Sequence, residues 1–264
     1  AGFGSDLGAE KFMNIVCRLG EMTPNAVVLV SSIRALQYHG LDQWPVDYDD
    51  IDAAGVEEVQ AGFENLDKHV TNLQKFGAPV VVAVNRFPDD ADAEVDAVLE
   101  HCREDLGVAA AESRVFEEGS EGGVDLGERV IEAVEEGDED EFAPLYEDED
   151  SIQDKIHTVA TEIYGAEDVK YTGGALDDIE KMESLGFGDF PVCMSKTFHS
   201  LSDDASLKGA PEGWELEVRE VYPSAGAGFL VALTGDVLTM PGLPADPAAA
   251  GMDIDGDGNI SGLF

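Results

Sequence analysis

Ala78-Pro79-Val80-Val81-Val82-Ala83-Val84 is an unbroken apolar run, rich in β-branched residues and closed by the polar Asn85. No polar residue alternates within it, which predicts a strand buried on both faces, as parallel strands are. Ala26 to Val30 is a shorter run of the same kind. It ends in Ser31-Ser32, as a parallel strand would on entering a polar site. Between the two runs, from Gly55 to Phe76, the apolar residues Val56, Val59, Phe63, Leu66, Val70 and Leu73 step by three and four. That spacing predicts one helix with one apolar face, stopped by Gly77. Ala91, Val95, Val98, Leu99 and Cys102 predict a second amphipathic helix after the second strand. Strand, helix, strand, helix is the order of a right-handed crossover in a parallel sheet covered on both faces. The expected class is therefore α/β, a parallel sheet with flanking helices.

Glu135 to Asp150 holds ten acidic residues and little that could pack. This predicts an α/β region over residues 1–140, an acidic boundary at 141–150, and a smaller α+β region over 151–264. In the last of these, helices are expected at Ile152 to Ile163 and Ala175 to Leu185. Strands are expected around Pro191 to Met194, Trp214 to Val221 and Phe229 to Leu233.

The chain has 264 residues, 15 Lys plus Arg against 57 Asp plus Glu, a formal net charge of −42, and 44% hydrophobic residues. The apolar content is that of a folded domain, so the acid decorates a core rather than marking a disordered chain. With no basic run, neutralisation of phosphates is out of reach, which argues against nucleic acid and anionic lipid as ligands. Repulsion of this size is tolerable where salt shortens the Debye length to about 3 Å. A halophilic cytoplasm is the expectation, with an acidic chaperone or cation buffer as the rival. Cys17, Cys102 and Cys193 are far apart in sequence and form no CxxC pair, so neither a disulfide framework nor a zinc site is expected, and a reducing compartment fits. The longest apolar runs fall far short of the roughly 18 residues of a membrane span. No signal peptide is legible, and Ala1 reads as a processed amino terminus or the start of a downstream piece.

Ligands of open α/β sheets bind beyond the carboxyl ends of the strands. There the sequence carries Ser31-Ser32-Ile33-Arg34 and Asn85-Arg86-Phe87-Pro88-Asp89-Asp90. Arg86 could fork onto a carboxylate or phosphate, with Phe87 and Pro88 against a flat ligand. Equally, Asn85 and Asp89 could cap the next helix while Phe87 packs. Gly2-Phe3-Gly4-Ser5-Asp6-Leu7-Gly8 could let backbone N–H groups approach a phosphate, but its spacing is not the dinucleotide fingerprint, and no Walker A loop is present. Gly119-Ser120-Glu121-Gly122-Gly123 reads as a binding loop or a tight turn. Asp253-Ile254-Asp255-Gly256-Asp257-Gly258-Asn259-Ile260 opens like a calcium loop, yet its twelfth position is Phe264 rather than Glu, so a calcium-responsive role is the weakest idea. His69 and His157 are expected at exposed helical positions, and no metal site is expected.

These landmarks together resemble the carboxy-terminal half of formate–tetrahydrofolate ligases. The motifs that carry the resemblance are Ala1-Gly2-Phe3-Gly4-Ser5-Asp6-Leu7-Gly8-Ala9-Glu10-Lys11-Phe12, Ile33-Arg34-Ala35-Leu36, Asn65-Leu66-Asp67-Lys68-His69, Asn85-Arg86-Phe87-Pro88, Ser200-Leu201-Ser202-Asp203-Asp204, Val218-Arg219-Glu220-Val221, Ser224-Ala225-Gly226-Ala227-Gly228-Phe229, Leu233-Thr234-Gly235-Asp236, Met240-Pro241-Gly242-Leu243-Pro244 and Asp257-Gly258-Asn259-Ile260. The resemblance implies a P-loop NTPase-like fold whose P-loop part lies in a missing amino-terminal half. It implies ATP, formate and tetrahydrofolate as substrates, formylation at N10 through formyl phosphate, Mg²⁺ and a monovalent cation, and a homotetramer of complete subunits. By motif position it places Phe3 and Gly4 near the ATP and formyl-phosphate pocket, and Phe87, Pro88 and Phe116 against the folate rings. Phe116 stands where the family carries a tryptophan, Glu117-Glu118 replaces the usual Lys-Gly, and His39-Gly40 lacks a second glycine. The rival reading is a stand-alone, non-catalytic folate-binding or assembly module from a split or truncated gene.

Overall fold

The central apolar run forms the middle strand of a parallel sheet. In the computed structural model, which describes residues 4–138, 141–235, 248–254, 256 and 260–261, β1 (Val27–Ser31), β2 (Val80–Asn85) and β3 (Ala109–Ser113) lie in the order β1-β2-β3. Val27 pairs with Val80 and Val81 with Ala109, all in parallel. Flanked on both edges and covered on both faces, Val81, Val82 and Val84 are fully buried. β3 is Ala-Ala-Ala-Glu-Ser, a sequence of weak strand propensity that gave no signal. Its strand form comes from pairing with β2 and from burial of Ala110 and Ala111.

The crossover between β1 and β2 differs from expectation in one respect. The single helix expected from Gly55 to Phe76 is two, Val56–Ala61 and Phe63–Gln74, with the break at Gly62. A Cβ on Gly62 would stand 2.1 Å from the Leu36 carbonyl oxygen, because the Ile33–Gly40 helix crosses there. The same crossing would put a Cβ on Gly40 1.8 Å from the Glu58 carbonyl oxygen. The apolar face survives the break, with Val59, Leu66, Val70 and Leu73 all buried. After β2, the Asp92–Glu104 helix buries Val95, Val98 and Cys102 as expected.

A second layer holds a mixed sheet of β4 (Asp168–Tyr171), β5 (Val192–Ser195), β6 (Glu215–Ser224) and β7 (Phe229–Thr234), in the order β4-β6-β7-β5. β4 runs parallel to β6 and β5 to β7, while β6 and β7 are antiparallel. The Gly173–Ser184 helix and a helix over residues 152–164, whose second half Val159–Tyr164 is π-helical, pack on it. The amino-terminal helix, residues 8–20 with a π-helical stretch at Phe12–Cys17, adds Met13 and Cys17 to this same core. Within the acidic stretch at 141–150, Tyr146 is buried, and its hydroxyl accepts the Val192 N–H at 3.0 Å. Phe142 and Leu145 rest on the same core.

Among the described residues β1 has no strand on its outer edge. Val28 and Val30 of this strand are 40% and 63% exposed, and Phe12, Val16 and Leu19 of the amino-terminal helix are exposed as well. Asp253–Ile254 and Ile260–Ser261 form a short antiparallel pair; Asp255 and residues 257–259 of the calcium-like sequence lie outside the described residues, as do residues 236–247. Among the described residues no helix is long and apolar enough to cross a membrane.

Candidate functional site

β1, β2 and β3 end level with one another, Ser31 across from Val84 and Asn85 across from Ser113. The residues that follow therefore share one rim, where open sheets carry their chemistry. After β2 comes Phe87, whose backbone N–H donates to the Asp90 carboxylate at 2.8 Å. Asp90, rather than Asp89, shapes the turn into the next helix. After β3, residues 115–123 fold back so tightly that a Cβ on Gly122 would lie 2.6 Å from the Arg114 carbonyl. Gly119 takes φ +64° in that turn. The fold-back carries Phe116 across to Phe87, with ring centroids 5.2 Å apart and planes tilted by 57°. Phe116 remains 66% exposed, and Pro88 is exposed beside it.

Arg86 does fork, onto the protein's own carboxylates: Glu112 at 2.8 Å and Asp92 at 2.5 Å. Glu112 also takes Arg114 at 3.0 Å. These contacts hold the Arg86 guanidinium well above its ordinary range, so it stays cationic and neutralised in place.

A second feature opens along β1. A cavity of about 550 Å³ is lined by Gly4, Ser5 and Asp6, by β1, by His39 and His69, and by residues 198–201. Gly4 is thus on a cavity wall, whereas Phe3 lies outside the described residues. His69 is half-buried rather than exposed, since Ser5 Oγ lies 2.7 Å from its Nδ1. Burial pushes its imidazole below the ordinary range, and the nearby Asp6 opposes this. His39 accepts the Gly209 N–H at its Nδ1, 3.2 Å away, so its neutral ring carries its proton on Nε2. Burial first, then the charges of His69 and Lys208, push it down to about 4.

The sequence of the whole chain, residues 1–264, matches the family model described as formate–tetrahydrofolate ligase. The chain belongs to the formate–tetrahydrofolate ligase family. It is 80% identical over 264 residues to the formate–tetrahydrofolate ligase of Haloarcula marismortui and 72% identical to that of Haloquadratum walsbyi. All of the chain is covered in both comparisons, against 48% and 46% of those ligases, so it spans about half the length of the curated relatives it matches. The matched portion is the carboxy-terminal half, as the motifs led one to expect. Both relatives are haloarchaeal, in keeping with the acidic composition.

Within the ligase-family chain, the Phe87 and Phe116 rings come together, while Gly4 lines the separate cavity along β1. Asp6, His39 and His69 line that cavity, and residue spacing did not single them out for it. Asp6 was visible inside the glycine stretch, but with 57 acidic residues present a single carboxylate carries no signal.

Proposed function

We propose that this chain is the carboxy-terminal half of an ATP-dependent ligase that formylates tetrahydrofolate at N10, contributing the folate-stacking strip and a nucleotide-facing loop. Formate would attack the γ-phosphate to give formyl phosphate and ADP; N10 would then attack the formyl carbon, expelling phosphate. Phosphoryl transfer depends mainly on positioning and charge neutralisation. This chain has no Walker A loop, so the phosphate cradle belongs to the other half, in cis or in trans. Among the described residues no group of three or more His, Cys, Asp or Glu converges as metal ligands.

The observation that carries the folate part is the Phe87 and Phe116 pair at the carboxyl rim. A flat ring inserted between two aromatic faces needs them roughly 7 Å apart, twice the ~3.5 Å carbon contact. Phe116 has the freedom to swing outward, being 66% exposed. Arg86 and Arg114, neutralised by Glu112 and Asp92, hold the two strand ends at a fixed spacing beneath the rings. Gly4 beside the β1 cavity supports a nucleotide-facing loop, with Phe3 its neighbour in sequence. The other half would seat along the edge of β1 that no described strand covers, and complete subunits would form the tetramer in the cytoplasm.

The test is Phe116→Ala in the complete ligase, followed by calorimetric titration with tetrahydrofolate and with ATP. Folate affinity is expected to fall by roughly 1–3 kcal/mol, the scale of base–aromatic stacking, with ATP affinity unchanged. Unaltered folate affinity would assign Phe116 to packing alone.

A further inference from the structure

Lys196 has a side chain with no exposed surface, in a chain of 15 basic against 57 acidic residues. Burying an ammonium costs several kcal/mol in desolvation unless partners surround it. Its Nζ lies 2.8 Å from Asp6 Oδ2 and donates to the carbonyl oxygens of Thr197 and Ser200. The Tyr164 ring lies 4.9 Å from it. Asp6 is itself only 7% exposed at its side chain. Its Oδ1 occupies the space a side chain on Gly4 would need, 2.4 Å from an ideal Cβ. The Gly4 carbonyl accepts the N–H groups of Leu7 at 3.0 Å and Gly8 at 2.9 Å, which closes the turn over this carboxylate.

Two cavity walls meet in this contact. Gly4, Ser5 and Asp6 form one, and residues 198–201, which begin two residues after Lys196, form the other. Ser200 Oγ lies 2.9 Å from Ser202 Oγ and accepts the Ser202 N–H, so the second wall is ordered from its own side. The ion pair is the charged link that locks one wall to the other.

We propose that Lys196, acting through Asp6, is a positioning residue that fixes Gly4 and Ser5 for the nucleotide. The inference rests on reading the 4–8 turn as the nucleotide-facing loop. Lys196 touches no substrate in it. Removal of the ammonium leaves Asp6 buried and unpaired, the carboxylate moves toward water, and the turn packed on it shifts. A misplacement of about 1 Å is enough to matter at a binding site.

In the complete ligase, Lys196→Met is expected to raise the KM for ATP on the order of tenfold, with the KM for tetrahydrofolate held within about twofold. Asp6→Asn should reproduce this selectivity, and the double variant should be no worse than the stronger single one, because both act through one contact. Lys196→Arg should recover part of the loss. A parallel rise in both KM values, or a lower melting temperature with neither KM moved, would overturn the proposal and make the pair a core staple. Should Lys196→Met not accumulate folded, Asp6→Asn alone decides by the same split. Gly4→Ala separates the two layers of argument. If it leaves the KM for ATP unchanged, the loop reading falls and takes this inference with it. If it raises that KM while the Lys196 and Asp6 variants do not, only the positioning role falls.

Discussion

Glu10 is 1% exposed, in the first turn of the amino-terminal helix. Asn14 Nδ2 donates to its Oε1 at 2.7 Å, and Lys11 lies 3.9 Å from Oε2, a loose ion pair. Burial outweighs both and pushes the carboxyl from 4.5 up to about 7. An acid whose pKa rises on folding contributes stability that is complete below pH 4.5 and is lost as pH rises through about 7. Glu10→Gln keeps the neutral form at every pH. It should match the parent near pH 4.5 and exceed it above pH 7 by on the order of 3 kcal/mol, since a pKa unit is worth about 1.4 kcal/mol. Thermal melts of both proteins at several pH values test this, and a gap that does not vary with pH would count against it. His39 has the opposite slope: its base is pushed from 6.5 down to about 4, so its contribution is present above pH 6.5 and lost as pH falls through 4. Residues that packing alone recruits, such as Glu10 and Lys196, were not legible, because nothing in local spacing marks which of many charges goes inside.

At the scale of elements, the strongest constraint is the contact between the Ile33–Gly40 and Val56–Ala61 helices. Gly40 and Gly62 each face a backbone carbonyl at a distance no Cβ could share, 1.8 Å and 2.1 Å. Gly40→Ala is therefore expected to force the helices apart and cost about 1–3 kcal/mol, the scale of an overpacked core, read as a lower denaturant midpoint. An unshifted midpoint would mean the crossing is soft. The periodicity of residues 56–73 revealed the apolar face but hid the break at Gly62, whose cause is a neighbour twenty-six residues earlier in sequence, Leu36. Runs of β-branched residues disclosed β1 and β2, whereas the alanines of β3 became a strand only through their partner. The pairing of Phe87 with Phe116 depends on β3, so family motifs placed those residues at one site where residue spacing could not.

For the whole molecule, the chain amounts to 48% of a Haloarcula marismortui relative, and among the described residues its parallel sheet has no strand beyond β1. In molar KCl the chain by itself should show no ATP-dependent formylation of tetrahydrofolate, and addition of the other half should restore turnover. Val30→Asp should block that restoration while leaving the chain's own melting temperature nearly unchanged, since Val30 is already 63% exposed. Turnover by the chain alone would overturn the placement of the phosphate cradle outside it. Failure of the other half to help would favour a non-catalytic module.

The bare valines of β1 also bear on what two copies do when they meet. Among the described residues each presents at β1 a sheet edge with no neighbouring strand, a template on which another chain can zip. Ordinarily a charge of −42 would keep such copies apart. In brine that repulsion reaches only about 3 Å, less than the ~4.8 Å between neighbouring strands. Electrostatics cannot guard this margin at the salt concentrations its surface suits, and a solution of the lone polypeptide should gel or form fibres unless something occupies it first.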